Sequence, residues 1–200
     1  MAQPDTRRSM ELKAIIFDCF GVLQVDYTHA FYEEHVKDYE RLKPQLLELN
    51  RQHDYGFISQ TEFVQAVADL ARLSTSFVTE HMDSKLVRNQ PLVDYMAELK
   101  ANYRLGMISN IGPDTMERYF ARDELGQIFD AVVLSGEETI AKPHPYIYQL
   151  AAERLGVPVG ACVMVDDSEE NCAGADAAGM KSIYYQGFKS FKRQLIQLTN

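Results

Sequence analysis

At 200 residues the chain suits one packed domain, with room for an inserted lobe. Its hydrophobic share of 46% is that of an ordinary globular core, while a formal charge of −9 argues against general nucleic-acid binding and against an anionic membrane surface. An anionic substrate stays open, because a local cation can invert the field of a site. The cysteines Cys19, Cys162 and Cys172 are odd in number and lack zinc-like spacing, so no disulfide framework is implied. Cys19 and Cys162 read as small buried fillers. No stretch is long and apolar enough to span a bilayer. The first ten residues contain Arg7 and Arg8 but no apolar run, and read as a frayed tail rather than a secretory signal. The reducing cytoplasm is the expected compartment.

The first element is a strand at 12–18, overlapping the apolar run AIIFDCFGVL that starts at Ala14. It ends at Asp18, before a turn at Gly21. A carboxylate at the end of a strand buried on both faces is costly unless it is used. The interval 24–90 has no convincing strand. It reads as helices at 31–42, 44–53, 61–73 and 76–88, the third opened by the capping box Ser59-x-x-Glu62. An insert this long is no simple crossover and reads as a small lid. A strand at 103–109 then ends in Ser109-Asn110. Pro113-Asp114 opens a helix at 115–122, and a strand follows at 131–135. Lys142-Pro143 leads into a helix at 145–155, stopped by Gly156 with Pro158 beyond. A strand at 162–166 ends in Asp166-Asp167, a helix at 169–178 stops at Gly179, and the last strand is 182–185. The amphipathic stretch 188–198, with Lys189, Lys192 and Arg193, is expected to pack on the sheet rather than anchor in a membrane. Strands alternating with helices predict an α/β doubly wound parallel sheet. The expected division is a core of 11–23 and 91–200 with a helical cap at 24–90.

Ligands of such sheets bind beyond the carboxyl ends of the strands. Asp18, Ser109, Lys142, Asp166 and Asp167 all fall there and should converge. Three crowded carboxylates repel one another, and a divalent cation relieves this; oxygen ligands suit Mg²⁺. With Lys142 added, the cluster is a receptor for phosphoryl oxygens. Each residue alone has a plainer explanation: Asp18 as a turn residue, Ser109-Asn110 and Asp166-Asp167-Ser168 as helix caps, Lys142 as a solvated lysine at a helix start. Asn171 suits either a bond to a carboxylate of the cluster or the surface. The five histidines are scattered without metal-ligand spacing, and His144 is expected to face solvent. Phe31, Tyr32, Tyr39 and Phe63 read as core. Tyr55 and Phe57, beside Gly56, are the aromatic candidates for substrate contact.

In order and at strand ends, FDCFGVL, MISN, AKPHPYIY and VMVDDSEENCAGADAAG resemble the four motifs of the haloacid dehalogenase superfamily. The resemblance covers nearly the whole chain, and the insert resembles the helical cap of one large branch. It implies that Asp18 is a nucleophile forming an aspartyl-phosphate, and that Asp18, the carbonyl of Phe20, Asp166 and Asp167 hold Mg²⁺. It implies that Ser109 and the Asn110 amide bind phosphoryl oxygens and that Lys142 neutralises charge. The implied partner is a small phosphorylated metabolite, with sugar phosphates as one class; a monomer or homodimer is expected.

The chain departs from the family pattern at Phe20, where most phosphatases of this resemblance carry an Asp that protonates the leaving oxygen. Losing a general acid costs roughly 10²–10⁴-fold. One reading is a phosphatase with a good leaving group, or with an acid from Asp26, Tyr27, His29 or the Asp54-Tyr55-Gly56 loop. A second is a metal-independent 2-haloacid dehalogenase, which has an aromatic residue at this position and would need Arg41 or Arg51 to receive halide; Asp166-Asp167 argue against it. A third is a non-catalytic binding domain, against which the four motif residues stand together.

Overall fold

The computed structural model describes residues 10–25, 27–83, 87–112, 115–121 and 123–199. Asp26, Pro113-Asp114 and nearly all of the expected tail lie outside these. Five strands form one parallel sheet: β1 (Ala14–Phe17), β2 (Arg104–Ser109), β3 (Ala131–Leu134), β4 (Cys162–Asp166) and β5 (Lys181–Tyr184). Their order is β3-β2-β1-β4-β5. The chain runs outward from β1 to β3 and then returns to place β4 on the other side of β1. The reversal creates a crevice at the carboxyl ends of β1 and β4, where a ligand site is expected.

Alternation along β1 divides the core. Ile15 and Phe17 face one cluster, with Leu92, Met96, Phe191 and Leu195 from helices α5 (Gln90–Leu99) and α10 (Phe188–Thr199). Ala14 and Ile16 face the other, with Ile147, Tyr148, Ala151 and Ala175 from α8 (Pro145–Leu155) and α9 (Glu169–Ala177). Both faces of the sheet are thus covered, which explains why its strands read as continuous apolar runs. The α10 stretch packs on the sheet as expected. The three cysteines are free and buried. Among the described residues no helix is long and apolar enough to cross a membrane.

Between β1 and α5 lie α1 (Thr28–His35), α2 (Tyr39–Asp54), α3 (Gln60–Ala71) and α4 (Thr75–Asp83), whose apolar faces share a separate cluster including Phe31, Leu46, Phe63, Val67 and Val78. The chain enters and leaves this unit by antiparallel connections: the Val25 N–H donates to the Val87 carbonyl at 3.0 Å, and that of Asn89 to the Leu23 carbonyl at 2.9 Å. The capping box forms, with Glu62 N–H donating to Ser59 Oγ at 3.3 Å and Ser59 N–H to Glu62 Oε2 at 2.8 Å.

Three helix expectations need correction. The helix expected at 31–42 is split, because Asp38 takes a left-handed turn (φ 59°) between α1 and α2. Pro44 lies inside α2 rather than opening a helix; it is exposed and near the start, so the Glu40 carbonyl it deprives of a partner can turn to water. The expected helix at 115–122 is instead a short 3₁₀ turn, Met116–Arg118, followed by α6 (Glu124–Ile128). A further short helix, α7 (Ser135–Glu138), begins where β3 was expected to end.

Candidate active site

β1 delivers Asp18 to the crevice, and the Asp18 N–H continues the ladder to the Val165 carbonyl at 2.9 Å. The turn beyond is closed by Gly21 N–H to Gln24 O at 2.7 Å and by Leu23 and Gln24 N–H to Cys19 O, each at 2.8 Å. Gly21 adopts φ +81°, and a Cβ there would lie 2.0 Å from Asp167 Oδ2. Glycine is therefore required twice over, for its conformation and for the approach of Asp167 to the Asp18 turn.

The Lys142 ammonium sits between two carboxylates, 2.7 Å from Asp18 Oδ1 and 2.7 Å from Asp166 Oδ2, with only 4% of the residue exposed. Asp18 Oδ1 also accepts the Cys19 N–H at 2.7 Å. Asp166 Oδ1 accepts from the Ser168 N–H at 2.9 Å and from Asn171 Nδ2 at 3.0 Å, which settles Asn171 as a partner of this cluster. Burial pushes the Asp18 carboxyl up to about 7; Lys142 draws it down, while Asp166 and Asp167 add to the rise. Burial alone would lower the Lys142 ammonium, but Asp18 and Asp166 together push it well above its ordinary value, so it stays charged.

Asp18, Asp166 and Asp167 each offer an oxygen within 4.8 Å of the others, an all-oxygen donor set. One strand over from β1, Ser109 is fully buried, and its hydroxyl has no hydrogen-bond partner among the described residues. An orphaned buried hydroxyl is expensive, and a bound acceptor would relieve it. Asn110 turns its side chain to the next loop: Oδ1 accepts the Lys142 N–H at 2.8 Å and Nδ2 donates to the Lys142 carbonyl at 2.9 Å. The loops carrying Ser109 and Lys142 are thereby locked together.

Asp18, Asn110, Lys142 and Asp167 open into a cavity of about 340 Å³ between the sheet and the helical unit, while Ser109 and Asp166, both fully buried, are not among its lining. Asp18, Phe20, Asn110, Lys142 and Asp167 line one side; His29, His53, Asp54, Gln60 and Phe63 line the other. The Phe20 ring stands edge-on to Tyr119, with centroids 4.9 Å apart. Of the alternative acids, His29 and Asp54 reach the cavity. Tyr27 is not among its lining, and its hydroxyl donates to Glu34. Tyr55 and Phe57 correct an expectation: they stack on each other at 5.8 Å away from the cavity lining, Phe57 being 64% exposed, while Phe63, read as core, lines it. Arg41 and Arg51 are exposed and off the cavity, Arg51 pairing with Glu48 at 2.7 Å. His144 faces solvent as expected and caps α8.

The sequence reading missed Thr115, Arg118 and Tyr119, which line the cavity from the 3₁₀ segment. It also missed His53, which is buried, stacked on Phe63 at 4.7 Å and placed with Nε2 3.3 Å from Thr115 Oγ1. Burial, aided by the nearby Arg118 charge, lowers His53 to about 4 against a partial offset from Gln60. A folded value below the unfolded one makes its contribution complete above about pH 6.5 and lost as pH falls toward 4. Urea titrations are expected to show the wild type losing up to about 3 kcal/mol more than His53→Gln between pH 7 and pH 4. An unchanged difference between the two proteins would contradict a buried neutral imidazole.

The chain matches the family model of haloacid dehalogenase-like hydrolases over residues 12–179. It is 24% identical over 188 residues to the pyrophosphatase PpaX of Bacillus cereus (strain AH820), covering 86% of this chain and 82% of that one. To PpaX of Bacillus mycoides (strain KBAB4) it is 28% identical over 118 residues, 58% of this chain and 55% of the relative. Human N-acylneuraminate-9-phosphatase is 35% identical over 88 residues, 44% of this chain and 36% of the relative. Over the last two, the chain spans about half or less of the relative's length. Among solved structures, the HAD family enzyme BT-2542 of Bacteroides thetaiotaomicron superposes with a TM-score of 0.76 at 20% identity, covering 92% of this chain and 98% of that one. The family match takes in every residue of the Asp18–Lys142–Asp166–Asp167 cluster, and the chain belongs to the haloacid dehalogenase-like hydrolases.

Proposed function

We propose that this hydrolase is a Mg²⁺-dependent phosphatase acting on a small phosphorylated metabolite through an aspartyl-phosphate on Asp18. The observation that carries the reading is the orphaned Ser109 hydroxyl, buried at the strand end beside the Asp18–Lys142–Asp166 array. The phosphatase relatives support the same substrate class. The oxygen donors of Asp18, Asp166 and Asp167 fit Mg²⁺, and the Phe20 carbonyl, which the family resemblance assigns to the same ion, would add a further oxygen. When bound, the cation would offset the crowding of the three carboxylates and draw phosphoryl oxygens into the site.

Among the described residues, the bonds to Asp18 fall on Oδ1, so Oδ2 is the oxygen presented to phosphorus. Its attack forms the Asp18–phosphorus bond as the bond to the leaving oxygen breaks; water then attacks phosphorus and frees Asp18 and phosphate. Ser109 and the Asn110 amide hold phosphoryl oxygens, and Lys142 offsets the charge that builds up in transfer. Asp166 anchors Lys142. The helical unit 24–90 acts as a cap that excludes water and whose lining sets specificity. The positions of Arg41 and Arg51 weigh against the 2-haloacid reading.

Phe20 carries no proton to donate. The leaving oxygen departs without one or takes it from His29 or Asp54. Phe20→Asp is therefore expected to raise kcat/KM on alkyl phosphates by about 10-fold or more while changing acetyl phosphate turnover little. Equal effects on both substrates would show that protonation of the leaving group does not limit the rate. The reading as a whole is tested with p-nitrophenyl phosphate and acetyl phosphate. Release is expected with Mg²⁺ and a drop of at least about a hundredfold with EDTA. Release that EDTA leaves unchanged overturns the metal-dependent reading.

A further inference from the structure

The Ser109–Gly112 segment is held at both ends by different parts of the molecule. At its start, Asn110 is tied to the Lys142 backbone. At its far end it meets the C-terminal turn of α2. The Ser135 hydroxyl, fully buried, accepts the Ile111 N–H at 2.9 Å and donates to the Asp54 carbonyl. The Gly136 N–H donates to the Ile111 carbonyl at 3.0 Å. One hydroxyl therefore joins the segment after β2, the start of α7 and the end of α2.

Two glycines make the approach possible. Gly112 lies under the His53 ring, and a Cβ there would be 2.1 Å from Nε2. Gly56, at φ +72°, lies against Gly136, and a Cβ there would be 2.5 Å from its carbonyl oxygen. The His53 ring is clamped between Phe63 on its own unit and Thr115 on the sheet side. Buried backbone groups matched across such a joint leave little room for partial separation: the contact is either made or broken.

We propose that Ser135 and His53 are positioning residues that clasp the end of α2 to the loop 109–112, so that this loop takes its phosphate-holding shape only while the cap is docked. The proposal rests on the phosphatase reading for what the loop holds, and not for the clasp itself. His53, Asp54, Ile111 and Thr115 also line the cavity, so a ligand there touches both sides of the joint. Docking and phosphate binding then favour one another.

The test is hydrogen exchange on the full chain, in segments 53–57 and 109–112, with and without inorganic phosphate plus Mg²⁺. Ser135→Ala removes at once the acceptor of the Ile111 N–H and the hydroxyl that donates to the Asp54 carbonyl, and is expected to speed exchange in both segments by about tenfold or more, with β1 and β4 unchanged. Gly112→Ala should do the same by striking His53. Adding His53→Ala to it should restore part of the lost protection in 109–112, which a merely structural loss would not do. Phosphate with Mg²⁺ should slow exchange in 53–57 of the wild type and fail to do so in Ser135→Ala. Segments that respond independently, or a double variant worse than Gly112→Ala, overturn the proposal. Coupled exchange that phosphate leaves unaltered in the wild type upholds the clasp and counts against the phosphatase reading instead.

Discussion

Asp18→Asn is expected to lower turnover by about 10⁴-fold or more while the chain stays folded. An amide oxygen is a poor nucleophile toward phosphorus, so the covalent route closes. The fold has little reason to suffer. Asn is close to isosteric and can keep the Cys19 N–H and Lys142 contacts through its carbonyl oxygen. It also removes one of three negative charges crowded within 4.8 Å. Circular dichroism and a thermal melt should match the wild type within a few degrees, and p-nitrophenyl phosphate release should fall to background. Retained turnover in a folded variant removes Asp18 as the nucleophile.

Lys142→Met is expected to damage both activity and stability. The ammonium is nearly inaccessible and contacts two carboxylates at 2.7 Å. Removing one partner of a buried ion pair leaves uncompensated charge and costs about 3–5 kcal/mol, which for a chain of this size is roughly a 10 °C fall in melting temperature. Turnover should drop about 10²–10³-fold, since the charge that offsets the transferring phosphoryl group is gone. Mg²⁺ should recover part of the stability by supplying positive charge near Asp18 and Asp167, and very little of the activity. Unchanged stability at pH 7 to 8 would show that Asp166 and Asp18 are not held as ions by Lys142.

The sheet was legible because both its faces are buried: AIIF and CVMVD read as continuous apolar runs, and each ended in a polar residue where the crevice opens. Asp18, Asp166 and Asp167 could be found for the same reason, a charge at the end of an apolar strand being hard to explain otherwise, whereas Lys142 sits in the loop between α7 and α8 and was legible only through the resemblance of AKPHPYIY to a family motif. The segment after Ser109 was not legible. Its 3₁₀ turn at Met116–Arg118 is shaped by contacts made elsewhere, such as the Tyr119 carbonyl accepting from Arg88 Nη2 at 3.2 Å, and local propensity carries no trace of them. His53 was hidden for a related reason. Within α2 it is one more polar residue near a helix end, and its burial against Phe63 is completed by the approach of Gly112 and Thr115 from more than fifty residues away. Tyr55 and Phe57 misled because aromatic residues beside a glycine suit a binding loop, whereas Gly56 is used here to let the backbone pass close to Gly136.

The most direct test of the central claim is to mix the enzyme with acetyl phosphate and Mg²⁺, quench in acid within the first turnovers and map the digested chain by mass spectrometry. A phosphoryl group on Asp18, absent with EDTA and absent in Asp18→Asn, is the predicted result. Turnover with no adduct on Asp18, or with the adduct on another residue, would contradict the account.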